Sequence, residues 1–207
     1  MNINFFYSLL ENTKSDDEVT DICRKYLLHG TPSVFNGNDD DFYEFRRIIG
    51  NKFKTSFHEI YITGSAKLGF SPYKGTDFNE NSDIDVSIIS SALFESIMSD
   101  VSIYQMEYRG NRKAVTEVEL KMYHDFLEYT ALGWIRPDKL PYSFQIGKLR
   151  DDWFAFFRSI SYGKSRIGNY KISAGVFKSY NHLEQYLYSG LYEVRKSLNR
   201  KKKWQHK

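Results

Sequence analysis

The stretch Ile60-Tyr-Ile-Thr-Gly-Ser-Ala-Lys-Leu-Gly-Phe70 is followed, after a loop, by Ser82-Asp-Ile-Asp-Val-Ser-Ile-Ile89. Both segments predict short apolar strands, at 58–63 and 83–89, separated by residues that favour turns. The second strand carries Asp83 and Asp85. Because side chains alternate along a strand, these two carboxylates project from one face with their Cα atoms roughly 6.5–7 Å apart.

Two carboxylates this close repel each other unless a cation lies between them, and a divalent ion is the commonest partner. The Gly64-Ser65 pair that ends the first strand predicts a tight turn whose free N–H groups can hold phosphate oxygens. Ser65 can equally cap a short helix, and Lys67 is either a solvated helix residue or a phosphate contact. The pattern predicts that a metal ion and a triphosphate meet at one site.

These residues resemble the signature of the polymerase-beta-like nucleotidyltransferases, which is an apolar strand, Gly-Ser, a spacer, and Asp-x-Asp on the next strand. The resemblance implies an α/β (α+β) fold, a small mixed sheet flanked by helices. It also implies Mg²⁺ or Mn²⁺ at Asp83 and Asp85, and an NTP or dNTP bound by Gly64, Ser65, Lys67 and Ser82. The spacer is longer than in the family, which indicates an inserted loop at 71–80.

The activity implied is transfer of a nucleotidyl group to an acceptor hydroxyl with release of pyrophosphate. The wider motif is similar to small bacterial nucleotidyltransferases of antiphage defence, the Hailong type among them. That similarity implies template-independent oligonucleotide synthesis, a nucleic-acid or oligonucleotide acceptor, or a toxin or other protein effector as partner. The alternative is a catalytically degenerate relative that binds a nucleotide or a partner, as an antitoxin-like regulator would. A third interpretation is that the chain is an unrelated α/β protein in which the motif occurs by chance.

Active members of the family use a third carboxylate, from a strand beside the Asp-x-Asp strand. The equivalent strand predicted here is 171–179, which contains neither Asp nor Glu. Mg²⁺ can still bind through two carboxylates and phosphate oxygens, but the attacking hydroxyl would be less well activated. Glu117 or Glu119 completes the site if 115–121 is a strand, whereas the pattern of 112–133 favours a helix. The sequence leaves this open.

The 207 residues are sufficient for one sizeable core, and the net charge of +3 does not indicate a dedicated nucleic-acid binder. Cys23 is the only cysteine, so no intrachain disulfide can form. No signal-peptide pattern begins the chain, and no apolar run is long enough to span a bilayer. We therefore expect a cytoplasmic protein without direct membrane insertion.

Hydrophobic spacing predicts helices at 15–29, 40–56 and 181–198, a short helix opening at Ser91, and another starting at Trp153 after Asp151-Asp152. We expect one nucleotidyltransferase-like domain at 1–199, followed by a basic tail at 200–207. Within the domain, 1–56 is predicted to be helical, 57–100 forms the catalytic core, and 101–199 supplies further helices and the third strand.

Overall fold

The computed structural model describes residues 1–110, 115–141 and 147–205, leaving aside the side chains of 147–149 and 201–205. Within these ranges the α-helices are α1 (Ile3–Asn12), α2 (Asp16–Ile22), α3 (Asp39–Phe53), α4 (Gly64–Leu68), α5 (Ser91–Arg109), α6 (Glu117–Ala131), α7 (Gly147–Ile160) and α8 (Tyr180–Gln205). The strands are β1 (Ile60–Thr63), β2 (Phe70–Ser71), β3 (Thr76–Asp77), β4 (Ile84–Ile89), β5 (Trp134–Ile135) and β6 (Ile172–Phe177). The protein is therefore of the mixed α/β class, as predicted.

Four strands form one mixed sheet in the order β1-β4-β6-β5, while β2 and β3 form a separate hairpin. The outer strands β1 and β5 run antiparallel to their neighbours, and the central β4 and β6 run parallel. A parallel pair needs a long crossover connection, which contains α5, α6, β5 and α7. The strand predicted at 171–179 is confirmed as β6, and it lies directly beside the Asp-x-Asp strand.

The two faces of this sheet are covered by different helices. One face packs into a core with α3, α5, α6 and α7, through buried residues such as Ile84, Val86, Ile88, Phe45, Ile97, Phe126 and Trp153. On the other face Ile89 and Phe177 join a second core with α1 and α8, which contribute Phe6, Leu10, Leu183 and Leu187. Burial of each such side chain contributes roughly 1.5–3 kcal/mol, so both faces help to hold the sheet.

Capping side chains define where several helices begin. Ser15 Oγ accepts a hydrogen bond of 3.3 Å from the Glu18 N–H, so α2 begins at the predicted residue. Thr116 and Glu119 form a reciprocal capping box at the start of α6. The alternative strand at 115–121 is therefore wrong, because this exchange of hydrogen bonds satisfies the free N–H groups of a helix terminus.

Other element boundaries differ from the prediction. Helix α7 already begins at Gly147, which places Asp151 and Asp152 in its second turn instead of at its N-terminus. The helix that opens at Ser91 is longer than predicted and runs to Arg109. Helix α1 falls within 1–56, the part of the chain predicted to be helical, and its Phe6 and Leu10 are buried in the core shared with α8. The start predicted at 112 and the tail side chains at 201–207 lie outside the described part of the chain.

Candidate active site

One edge of the sheet brings together residues from all four strands. Since β1 and β5 run opposite to β4 and β6, the carboxyl ends of the outer strands meet the amino ends of the central strands at this edge. Gly64 follows β1, Asp83 precedes β4, Lys171 precedes β6, and Arg136 follows β5. All four of these residues line a single cavity of about 1180 Å³. The strand directions therefore concentrate polar side chains in one place.

The Gly64-Ser65 turn lies against Asp85. Thr63 is opposite Asp85 in the β1–β4 register, and the chain then turns into α4 with Gly64 at a φ of 65°. A Cβ atom on Gly64 would lie 3.1 Å from Asp85 Oδ2, which is tighter than an ordinary contact. Glycine is suited to this position because it adopts a positive φ at little cost and leaves space beside the carboxylate. Gly64 and Ser65 both line the cavity.

Asp83 and Asp85 lie at the same cavity but in different surroundings. Asp83 Oδ2 accepts a hydrogen bond of 2.9 Å from Lys171 Nζ, and about half of each of these side chains is exposed. Asp85 Oδ1 accepts a hydrogen bond of 3.3 Å from the Ser173 hydroxyl. The recess around Asp85 removes part of its hydration and raises the pKa of its carboxyl, although Ser173 opposes the rise and Asp83 adds to it.

Two residues predicted to bind nucleotide do not line the cavity. Lys67 is 7% exposed, and its ammonium donates hydrogen bonds of 2.6 and 2.5 Å to the carbonyls of His29 and Gly30. These carbonyls lie at the end of the π-helix Cys23–Leu28 that continues α2, so Lys67 joins that element to α4. Burial lowers the pKa of Lys67 to about 8. Ser82 accepts a hydrogen bond of 3.1 Å from the Asn79 N–H within the preceding loop.

Neither the strand next to β4 nor Glu117 or Glu119 supplies a third carboxylate beside Asp83 and Asp85. Ser173 is opposite Asp85 in the β4–β6 register, where an acidic residue on the neighbouring strand would lie. Glu117 and Glu119 are in the first turn of α6, and Glu119 is used in the capping box. Among the described residues, no group of three or more His, Cys, Asp or Glu side chains could hold a metal ion. Asp83 and Asp85 alone would leave most coordination positions of a divalent cation to oxygen ligands from outside the described side chains.

Aromatic side chains that the sequence pattern does not predict for the site line the same cavity as Asp85. Trp134 stacks on Phe177 with ring centroids 5.4 Å apart, and the Tyr186 ring lies 4.5 Å from Trp134. The Arg136 guanidinium lies over Trp134 and is paired with Asp138. Arg136, Trp134 and Tyr186 line the cavity. The two-residue strand β5 that places Trp134 and Arg136 was too short to be recognised from hydrophobic alternation.

Comparison with known proteins gives no identification, since no family model, no curated protein and no solved structure matches the chain. The described helices include none that combines the length and the apolar character needed to cross a membrane. The case for a function therefore depends on the residues at this edge of the sheet and on their chemistry.

Proposed function

We propose that this chain is a metal-dependent nucleotidyltransferase of the polymerase-beta-like type, with its active site at the edge described above. The observation that carries the proposal is the approach of the Gly64-Ser65 turn to Asp85, with Asp83 in the same cavity. A glycine turn suits phosphate oxygens, and two carboxylates suit a divalent cation. Their meeting in one recess large enough for a nucleotide supports the predicted pairing of metal and triphosphate.

The donor set fits Mg²⁺ or Mn²⁺, since Asp83 and Asp85 present hard oxygen ligands that such ions prefer. When bound, the ion would neutralise charge on the phosphate oxygens. The protein's own contribution is to position the groups. Gly64 and Ser65 hold the distal phosphates, and the Ser173 hydroxyl orients the Asp85 carboxylate. Lys171, already 2.9 Å from Asp83, supplies a positive charge beside the triphosphate.

In the proposed reaction an acceptor hydroxyl oxygen attacks the α-phosphorus of an NTP or dNTP. A new oxygen–phosphorus bond forms, the bond from the α-phosphorus to its bridging oxygen breaks, and pyrophosphate leaves with the electron pair. The hydroxyl proton passes to solvent or to a cavity carboxylate. Positioning and neutralisation of charge account for most of the catalysis in phosphoryl transfer. A role in antiphage defence, and a toxin or effector partner, stay predictions from the resemblance.

The position of Ser173 favours a second candidate function. A hydroxyl opposite Asp85, where active relatives would place an acid, suits a protein that binds Mg²⁺ and nucleotide without turning the nucleotide over. The test for both candidates is pyrophosphate release over a panel of NTPs and dNTPs, with Mg²⁺ or Mn²⁺ and with chelator. Release that stops with chelator supports the enzyme. Thermal stabilisation by Mg²⁺ and nucleotide without release supports the binding module.

A further inference from the structure

The ammonium of Lys171 is bound to one carboxylate of the proposed metal site. Its Nζ donates a hydrogen bond of 2.9 Å to Asp83 Oδ2. Two residues further along, the Ser173 hydroxyl donates a hydrogen bond of 3.3 Å to Asp85 Oδ1, and these two residues are opposite each other in the β4–β6 register. The segment 171–173 therefore presents one donor to each carboxylate of the Asp-x-Asp pair, a charged donor to Asp83 and a neutral donor to Asp85.

The backbone that carries Lys171 is held on both sides. Its carbonyl accepts a hydrogen bond of 2.8 Å from the N–H of Ile84, the residue that follows Asp83, so the main chain is joined to β4 at this point. The carbonyl of the preceding residue, Tyr170, accepts a hydrogen bond of 2.8 Å from the Tyr162 N–H. Because these bonds fix the main chain, we expect movement at this position to be confined to the lysine side chain.

The side chain of Lys171 is free to leave Asp83 at little cost to the fold. The Lys171 side chain is 54% exposed and that of Asp83 is 45% exposed. Ion pairs this exposed contribute little to stability. A lysine ammonium has three donors on a flexible stem, and among the described residues Asp83 is its hydrogen-bond partner. The pair is therefore suited to an exchange of partners.

Lys171 and a divalent cation compete for the charge of Asp83. When ionised, Asp83 and Asp85 together carry two negative charges, which match one Mg²⁺ or Mn²⁺ ion. The ammonium on Asp83 offsets one of these charges, so the pair attracts a divalent ion less strongly. A triphosphate at the Gly64-Ser65 turn would bring further negative charge into the same cavity and give the ammonium a second partner.

We propose that Lys171 exchanges Asp83 for the nucleotide phosphates when a metal ion and a nucleotide bind, and that this exchange couples the binding of the two. The inference rests on the proposed function and adds a regulatory role for one residue of its site. The hydrogen bond from the Lys171 ammonium to Asp83 Oδ2 breaks, one to a phosphate oxygen forms, and no proton is transferred. The metal ion alone then binds weakly, and each ligand strengthens the binding of the other, since such coupling is reciprocal.

The first measurement is the affinity for Mn²⁺ alone, from the electron paramagnetic resonance signal of the free ion over full-length protein. Lys171→Met removes the ammonium and keeps a similar apolar stem. We expect it to bind Mn²⁺ about fivefold more tightly than the wild type, about 1 kcal/mol, the upper value for an exposed ion pair. Urea unfolding of the variant should match that of the wild type.

The matched control is Lys178→Met, which removes the same charge from the other end of β6. Lys178 directly follows this strand, and its ammonium pairs with Glu95 at 3.2 Å with a similar exposure of 47%. This variant should bind Mn²⁺ as the wild type does. The exchange is overturned if Lys171→Met binds Mn²⁺ no more tightly than the wild type and the Lys178 variant.

The second measurement distinguishes an exchange of partners from a repulsion that acts at a distance. The probe is a fluorescently labelled α,β-methylene nucleotide, which cannot be turned over at the α-phosphorus, with the base that gives the largest thermal stabilisation. Its affinity is measured with Mg²⁺ and with chelator, and the ratio of the two affinities reports the coupling. A fixed charge would change both affinities and leave this ratio unchanged.

In Lys171→Met we expect the ratio to be about fivefold smaller than in the wild type, because the partner that links the two ligands is lost. The ratio in Lys178→Met should equal that of the wild type. An equal ratio in Lys171→Met and the wild type would overturn the exchange, whatever happens to the separate affinities.

The same variants separate this inference from the proposed function. If Asp83→Asn weakens Mn²⁺ binding but Lys171→Met changes neither Mn²⁺ affinity nor the coupling ratio, the metal site stands and the exchange is refuted. If Lys171→Met has both expected effects but no nucleotide releases pyrophosphate, the enzyme proposal fails and the exchange stands in a binding module. If Asp83→Asn binds Mn²⁺ as the wild type does, both proposals fail.

Discussion

The two faces of β4 differ in what they contact, although their residues alternate along one short strand. Ile84, Val86 and Ile88 are at most 3% exposed and pack into the core with the surrounding helices. On the opposite face Asp85 opens into the cavity, with Ser173 of the neighbouring strand beside it. A strand covered on both sides would be more stable with apolar residues throughout. The polar face of β4 is therefore less well packed than the apolar face, because it borders the cavity.

The largest expected effect is a loss of activity on substitution of Asp85, on the polar face of β4. We expect Asp85→Asn to reduce nucleotidyl transfer by about a thousandfold or more, about 4 kcal/mol, because a metal ligand and a negative charge are lost together. The fold should persist, since loss of one of two neighbouring carboxylates relieves repulsion. Pyrophosphate release measures the first effect and denaturant unfolding the second. Transfer near the wild-type rate would show that Asp85 is not in the active site.

The next largest effect is a loss of stability on substitution of Ile88, on the apolar face of β4. Ile88→Ala should lower the free energy of unfolding by about 2–5 kcal/mol, because it leaves a cavity in a core where Ile88 is fully buried. Ser173→Ala, on the polar face, loses only a partly exposed hydrogen bond and should cost less than about 1 kcal/mol. Urea unfolding compares the two. Equal decreases in the free energy of unfolding for the two variants would show that the two faces do not differ in how much they stabilise the fold.

A smaller effect is expected at Gly64, where comparison with Gly37 distinguishes backbone strain from crowding of Asp85. Gly64→Ala and Gly37→Ala both place a side chain at a positive φ, 65° and 81°, and each should cost about 1 kcal/mol of stability. Only Gly64→Ala brings a Cβ to 3.1 Å from Asp85, whereas nothing lies within 4 Å of a Cβ at Gly37. We expect kcat/KM for nucleotide to fall about tenfold in Gly64→Ala alone, about 1.4 kcal/mol. An equal fall in Gly37→Ala would assign the effect to strain.

The smallest effect concerns Lys67, which lies near the cavity without lining it. Burial lowers its pKa to about 8 in the folded protein, whereas an unfolded lysine titrates near 10.4. Between these values the unfolded chain binds more protons, so the free energy of unfolding should rise between about pH 8 and pH 10. The rise should be on the order of 1 kcal/mol and be absent in Lys67→Met. If the free energy of unfolding changes with pH in the same way in the wild type and in Lys67→Met, Lys67 does not titrate in this range.

Several local features were predictable from the sequence. The strand that carries Asp85, with Asp83 directly before it, follows from the alternation of its apolar residues, and the start of α2 follows from Ser15. The turn at Gly64 follows from glycine's tolerance of a positive φ. The sequence does not decide between helix and strand for α6, because Val115 to Leu120 alternates weakly. The structure decides for the helix through the Thr116–Glu119 capping box.

The functions of the lysines could not be predicted in the same way. Lys67 was a candidate for phosphate binding because it lies one turn after Ser65, yet its ammonium is bound by carbonyls 37 and 38 residues away. Lys171 gave no local signal, although its ammonium contacts Asp83 across 88 residues. Sequence spacing places a side chain on its own element and says little about which distant element it meets.

The sequence by itself determined the Asp-x-Asp strand, the glycine turn and most helix positions, because these depend on residues within one or two turns of each other. Only the tertiary structure decided that Ser173 lies beside Asp85, that Arg136 and Tyr186 line the same cavity, and that Lys67 does not. Those facts follow from the strand order β1-β4-β6-β5 and from the packing of α8 on the sheet. Both are set by burial of apolar side chains far apart in the chain, whose combined effect cannot be read from any single segment.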